Sequence, residues 1–325
     1  MQFFHGTKIN FVGKKVRAIF FTISLSLIGL GVILSFIIPP EYGIDFEGGT
    51  EIGIAIDTTA SNPNIPSISD VRKAVQNSGF TNSEIKTYGT ENQFLIRLKS
   101  SENVREKIVS FFQNTFPNNK IIFLNEERIG AKIGSELRGK AFLAVGLSIL
   151  AILIYVAFRF EFVYGLGAII ALIHDVIVTY TIMLITHHFG IMNLEINSTI
   201  LAAMLTVIGF SINDTVIIFD RIRENLQKHK GMSYVKLFNL SINETLSRTI
   251  NTVLTVVLVL ITMVLLGGPV LQGFAFVMLI GIIVGTYSSI YIASSFVLWF
   301  VQKIKKIDVE SELAKKSPIL GKAKA

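Results

Sequence analysis

The chain has no cysteine, which excludes disulfides and thiolate chemistry and leaves its redox compartment unread. It is also short of charge. Lys, Arg, Asp and Glu make up 16% of the 325 residues, against about 25% in a soluble domain. Hydrophobic residues supply 51%, and mean hydropathy is +0.58. A chain this apolar does not fold in water around a single core. Phosphate-binding loops, zinc-protease motifs and nucleophile elbows are missing as well. Nothing points to an enzyme, and no cofactor or metal is expected. The adjacent His187-His188 cannot easily share one ion and reads as an interfacial loop.

The charge that is present is unbalanced, with a net +7 and a pI near 9.4. The basic residues concentrate beside apolar runs, which is the pattern of membrane topology signals rather than of a nucleic-acid surface. A segment needs about 20 apolar residues to cross the hydrocarbon layer. Six segments qualify: 18–38, 141–158, 162–186, 194–219, 245–266 and 270–301. The first follows Lys8, Lys14, Lys15 and Arg17. It is too long for a signal peptide and is followed by Pro39-Pro40, so it reads as an uncleaved anchor. Arg159, the group Arg221, Arg223, Lys228, Lys230 and Lys236, and the tail from Lys303 fall in alternate connections, while 187–193 and 267–268 carry no Lys or Arg. Both termini are therefore expected in the cytoplasm. Residues 41–138 are expected outside as the only water-exposed domain, because long segments translocate regardless of charge.

Within that domain the patterns predict strands at 51–57, 84–88, 93–99 and 120–125, and helices at 68–78 and 102–116. The order βαββαβ is the ferredoxin-like arrangement. Residues 62–66 read as a loop and 308–325 as a polar, disordered tail. The expected layout is an N-terminus and first span (1–40), the outer domain (41–138), a five-helix bundle (139–303) and a basic tail (304–325).

A charge at the bilayer centre costs about 2.5–3.5 kcal/mol even on the lenient insertion scale, so ionisable groups inside spans are candidate sites. Asp214 in span 4 and Arg248 in span 5 fall at the same depth on consecutive antiparallel helices. Ser241, Glu244, Thr245, Asn251, Thr252, Thr255 and Thr262 lie within about 60° of Arg248 at helical spacing. Ser211 shares the face of Asp214, and Asn213 adjoins it. The pair reads either as a salt bridge joining two helices or as a proton site. In the second reading Asp214 takes the proton and movement of Arg248 switches its affinity. His174-Asp175, in mid-span 3, reads equally as helix-packing support or as a relay. Gly281-x-x-x-Gly285 in span 6 is a small-residue face for close helix packing.

Several runs match a known family. They are Gly43-Ile44-Asp45-Phe46-Glu47-Gly48-Gly49-Thr50, then Leu172-Ile173-His174-Asp175, the long stretch from Ser211 through Asp214 to Asn225, Thr245-Leu246-Ser247-Arg248-Thr249, and Gly285-Thr286-Tyr287-Ser288-Ser289-Ile290. Nearly the whole chain resembles the SecF branch of the SecD/SecF protein-export family. The resemblance implies an α-helical polytopic membrane protein forming one half of an RND-like transporter in a bacterial inner membrane, with SecD as the other half. It implies that proton flow moves the outer domains, which hold emerging unfolded preprotein and prevent backsliding through the SecYEG translocon. It implies YajC as a further partner, and it ties Asp214 and Arg248 to proton transport. Ser211, Asn213, Asn251, Thr252, His174 and Asp175 are read from the residues themselves as relay or support, with lipid as the surroundings. An RND-like exporter of small molecules or lipids and a non-conducting scaffold of the translocon are the alternatives. The outer domain of about 95 residues is small for the first of these.

Overall fold

A computed structural model describes residues 9–59, 64–80, 83–88, 90–98 and 104–311. The expected loop residues 62–63, the outermost residues of the predicted strand at 93–99 and helix at 102–116, and tail residues 312–325 lie outside the described residues.

Six helices are long and apolar enough to span a membrane. They are α1 (Lys14–Ile37), α5 (Ala131–Arg159), α6 (Phe162–His188), α7 (Ser198–Lys228), α8 (Tyr234–Leu266) and a sixth built from α9 (Gly268–Ser288), a π turn (Ser289–Ala293) and α10 (Ser294–Lys303). Three of them form the interior. Over half of the membrane segment is buried in α6 and in the sixth helix, against 11% in α1 and α8 and 6% in α5. The outer helices turn residues such as Ile19, Leu25, Leu147 and Leu258 outward. Lipid replaces the hydrophobic effect for such faces, so exposure there costs nothing.

The remaining elements are α2 (Ile44–Glu47), β1 (Gly49–Asp57), α3 (Ile68–Asn77), β2 (Ser83–Tyr88), β3 (Thr90–Leu98), α4 (Val104–Thr115) and β4 (Lys120–Ile129). The strands pair in the order β2-β3-β1-β4, antiparallel throughout, which is the ferredoxin-like sheet. The period-2 pattern explains its core. Ile52, Ile54 and Ile56 on β1 and Phe94 and Ile96 on β3 are fully buried, facing Val71 of α3 and Ile108 of α4. Ser67 and Asp70 close a reciprocal capping box at the start of α3.

The glycine-rich run after α1 has a packing reason. Gly48 and Gly49 take φ of +75° and +131°, and a Cβ on Gly48 would lie 2.6 Å from Ala131 Cα. Only glycine lets the sheet turn this tightly onto the first turn of α5.

Several boundaries differ from expectation. Span 4 starts at Ser198 rather than Leu194, because Asn197 Oδ1 accepts from Ile200 N at 2.8 Å and caps the helix there. The helix of span 5 begins at Tyr234, eleven residues before its apolar run, because Tyr234, Leu237 and Phe238 are buried at its foot. The tail is docked at its start. Val309 is fully buried, its carbonyl accepts from Val235 N at 3.2 Å, and Glu310 pairs with Arg17 at 3.4 Å. Ile9 and Phe11 bond to Asn243 and Asn239. Both described chain ends thus meet the foot of α8, away from the sheet.

The small-residue face of span 6 is used inside the chain. A Cβ on Gly281 would meet Val207 Cγ2 at 2.2 Å, and one on Gly285 would meet Ser211 Cβ at 3.1 Å. That seats α9 directly on α7. Gly281→Ile must displace a stiff β-branched Val207, and we expect a loss of about 1–3 kcal/mol. A lowered unfolding midpoint of the purified protein in detergent checks this; an unchanged midpoint contradicts it.

Candidate functional site

Polar side chains inside the bundle converge on α6. The carboxylate of Asp175 is bonded at both oxygens. Oδ1 lies 2.9 Å from His174 Nδ1, while Oδ2 accepts from Ser211 Oγ of α7 and from Ser288 Oγ of α9, the latter at 2.8 Å. His174 Nε2 lies 3.1 Å from Ser24 Oγ of α1, and Ser24 lies 2.9 Å from the Tyr287 hydroxyl. All of these groups except Tyr287 are at most 3% exposed. The cluster ties α1, α6, α7 and α9 together in mid-span, and Gly285 makes it reachable by letting α9 approach Ser211.

Asp214 sits one helical turn beyond Ser211 on the same buried face. The Thr286 hydroxyl lies 3.4 Å from its Oδ2 and shares its one hydrogen with the Ile282 carbonyl at 2.9 Å. Arg248 is level with it: Ser241 Oγ reaches the Arg221 carbonyl at 3.5 Å, and Arg248 and Asp214 are each seven residues further along. The direct bond between them is not formed. Arg248 is exposed and makes no hydrogen bond or ion pair among the described residues. It acts on Asp214 through space, as a charge.

The polar stripe of α8 is divided. Ser241 and Thr245 are buried and return hydrogen bonds to their own helix. Glu244 holds Arg221 and Asn225 of α7, both at 2.6 Å. Arg248, Thr252 and Thr255 are exposed and Asn251 half-buried. On neighbouring α7, Thr206, Gly209 and Asn213 are likewise exposed along one face.

A second constellation joins the sheet to the membrane helices. Glu195, in the α6–α7 loop, is 5% exposed. Its Oε1 pairs with Lys86 of β2 at 2.8 Å, and its Oε2 pairs with Arg97 of β3. Lys86 also holds Glu41 at 2.7 Å and Glu84 at 2.9 Å, so its ammonium already supplies the cation among three clustered carboxylates. Arg97 reaches Glu51 at 2.9 Å. His187 accepts from Leu194 N at 2.9 Å and lies 3.1 Å from Glu41. Backbone bonds between Gly43 and Ile196 and between Ile196 and Glu41 complete the clasp. Burial pushes the Glu195 carboxyl up, but Arg97 and Lys86 more than offset this and hold it below its ordinary 4.5. Lys86 is raised for the same reason, its carboxylates outweighing burial.

Residues 107–303 match the family described as "Protein export membrane protein SecD/SecF, C-terminal". The protein translocase subunit SecF of Calditerrivibrio nitroreducens is 38% identical, over 92% of this chain and 96% of that one. The chain belongs to the SecF family of protein translocase subunits. The SecF of Rhodothermus marinus is 37% identical over 92% of this chain and 95% of its own. The crystal structure of SecDF from Thermus thermophilus, titled a translocon-associated membrane protein, superposes with a TM-score of 0.79 at 34% identity, covering 92% of this chain. This chain spans about two fifths (39%) of that SecDF chain. As a SecF-family member with six apolar helices, it is a multi-pass inner-membrane protein of the protein-export apparatus.

The sequence reading passed over Glu195, Lys86 and Arg97. One signal was available: Glu195 is an ionisable residue at the start of the expected fourth span, 194–219. For this SecF-family chain the clasp has a definite pH dependence. Glu195 and Glu41 both lie below their ordinary 4.5, so their pairing stabilises the contact between the sheet and the α6–α7 loop above that value and is lost as pH falls through the lowered values. Glu195→Gln leaves Arg97 and Lys86 short of a counter-charge and should cost about 3 kcal/mol. Hydrogen exchange in 189–197 and β3 should rise in the variant at neutral pH, and in the native chain only below pH 4.5. Equal exchange at neutral pH contradicts this.

Proposed function

We propose that this chain is the SecF half of a SecD–SecF complex that uses the proton motive force to assist protein export through a SecYEG-type channel. The carrying observation is Arg248, an exposed cation on a membrane-spanning helix with Thr252 and Thr255 on its face and Asn213 on the adjacent helix. A charge facing lipid is costly, so such a face requires another protein or water. The SecDF chain from Thermus thermophilus, more than twice as long as this one, supports SecD as that protein.

In this reading Asp214 receives the proton at the junction of the two halves. Asn213, Asn251, Thr252 and Arg248 line the shared route, with Ser211 linking it to the interior. One proton crossing 100 mV releases about 2.3 kcal/mol. The α6–α7 loop carries the resulting motion. It connects the helix bearing Asp175 to the helix bearing Asp214, and it grips the sheet domain through Glu195. The sheet domain faces the periplasm, where it meets unfolded preprotein, and both termini are cytoplasmic. Basic residues at the far ends of the helices favour that orientation. The role is mechanical rather than enzymatic, and YajC and the surrounding lipid are its other neighbours.

Export kinetics test this. In membranes holding the assembled complex, Asp214→Asn and Arg248→Met should each give the native rate found with the membrane potential collapsed, and restoring the potential should not raise it. Full stimulation by the potential in both variants sinks the reading.

A further inference from the structure

We infer that the His174–Asp175 pair is a proton-binding site in its own right, distinct from Asp214, whose occupancy is read by α1 and the sixth helix through Ser24 and Tyr287. The inference rests on counting hydrogens.

Four contacts follow one another in a row. They run from Asp175 Oδ1 to His174 Nδ1 at 2.9 Å, from His174 Nε2 to Ser24 Oγ at 3.1 Å, from Ser24 Oγ to the Tyr287 hydroxyl at 2.9 Å, and from that hydroxyl to the Phe20 carbonyl at 3.0 Å. Each needs one hydrogen. With a neutral imidazole beside an ionised carboxylate, the row contains three: one on the ring, one on Ser24 and one on Tyr287. One contact at hydrogen-bond distance would then set lone pair against lone pair.

A fourth hydrogen satisfies the whole row. It resides either on the ring, giving an imidazolium beside a carboxylate, or on Asp175, giving a carboxylic acid that donates to Nδ1 while Nε2–H donates to Ser24. Both forms hold the same added proton and leave the pair without net charge. Ser211 donates to Oδ2 in either form, and Ser288 shares its hydrogen between Oδ2 and the Gly285 carbonyl at 3.0 Å. In a site where unpaired buried polar groups are costly, the arrangement selects the protonated state.

Loss of the proton removes the hydrogen from one link between α1 and the sixth helix. Tyr287 lies two residues before the π turn Ser289–Ala293, the place where this helix departs from α geometry. The other titratable groups facing the site are few. Asp214 lies one turn from Ser211 on α7, and Tyr291 packs on Tyr287 from the π turn. α1 offers Ser24 and a carbonyl, and α5 lines the adjoining cavity with Ile149, Ile152 and Leu153.

The test is nitrogen-15 NMR of histidine-labelled full-length chain in liposomes, assigned by loss of the signal in His174→Gln. The infrared carboxyl band of Asp175, assigned with Asp175→Asn, is read alongside. At the acid end of the titration the pair should carry the added proton in one of its two forms, and it should release it on alkalinisation. Tyr287→Phe keeps the ring packing but removes two contacts, leaving two hydrogens for two contacts without the added proton. It should therefore lower the pair's proton affinity about tenfold, moving the midpoint down by about one pH unit. A neutral ring beside an ionised carboxylate at every pH, or a midpoint unmoved in folded Tyr287→Phe, overturns the inference. The readout is protonation itself, so it stands or falls separately from proton-driven export.

Discussion

An ionisable group placed in a hydrocarbon layer about 30 Å thick needs its partner in protein or water, because lipid supplies none. That constraint organises this chain. Asp175 and His174 meet it entirely within the subunit, through serines from three other helices. Asp214 meets it in part, through a single hydroxyl at 3.4 Å. Arg248 does not meet it within the described chain at all. The interior thus grades from a saturated cluster at α6 to an open polar face at α7 and α8, and it is on that face that the proposed second subunit would sit.

The same helices that carry these groups also carry the connection to the sheet domain. α6 and α7 are joined by nine residues that include Glu195, whose buried carboxylate ties that loop to β2 and β3. α1 is tied to α6 and the sixth helix by Ser24 and enters the sheet through the glycine turn at Gly48. In the proposed reading, a rotation of α6 against α7 reaches β2 and β3 through the ion pairs of Glu195 in the loop between them.

Much of this was legible in the residues. Twenty-residue apolar runs located all six spans, and alternation at Ile52, Ile54 and Ile56 located a buried strand, because helix and strand periods are local properties. The order βαββαβ carried the sheet topology with it. What local pattern could not reveal was rotation and partnership. Helical spacing put Arg248 at the right depth, but its direction depends on α8 being held by Glu244 and Arg221. The glycines of span 6 announced close packing without saying that Val207 and Ser211 were the partners. Val309 reads as part of a polar tail, yet it is buried against α8 through contacts made only in three dimensions. Lys86 and Arg97 are brought together by the β2–β3 register, but Glu195 lies about a hundred residues further on, and no spacing rule joins it to them.

The central claim is that the open face of α7 and α8 is completed by another subunit. Since the chain has no cysteine, a single introduced one is unique. Cross-linking in native membranes of Asn213→Cys and Thr252→Cys, with Leu147→Cys on the lipid-facing side of α5 as reference, reads the claim directly. The account predicts that the first two cross-link to SecD and resist a lipid-soluble thiol reagent, while the third is labelled by that reagent. Labelling of all three from the lipid, with no cross-link to SecD, would contradict it.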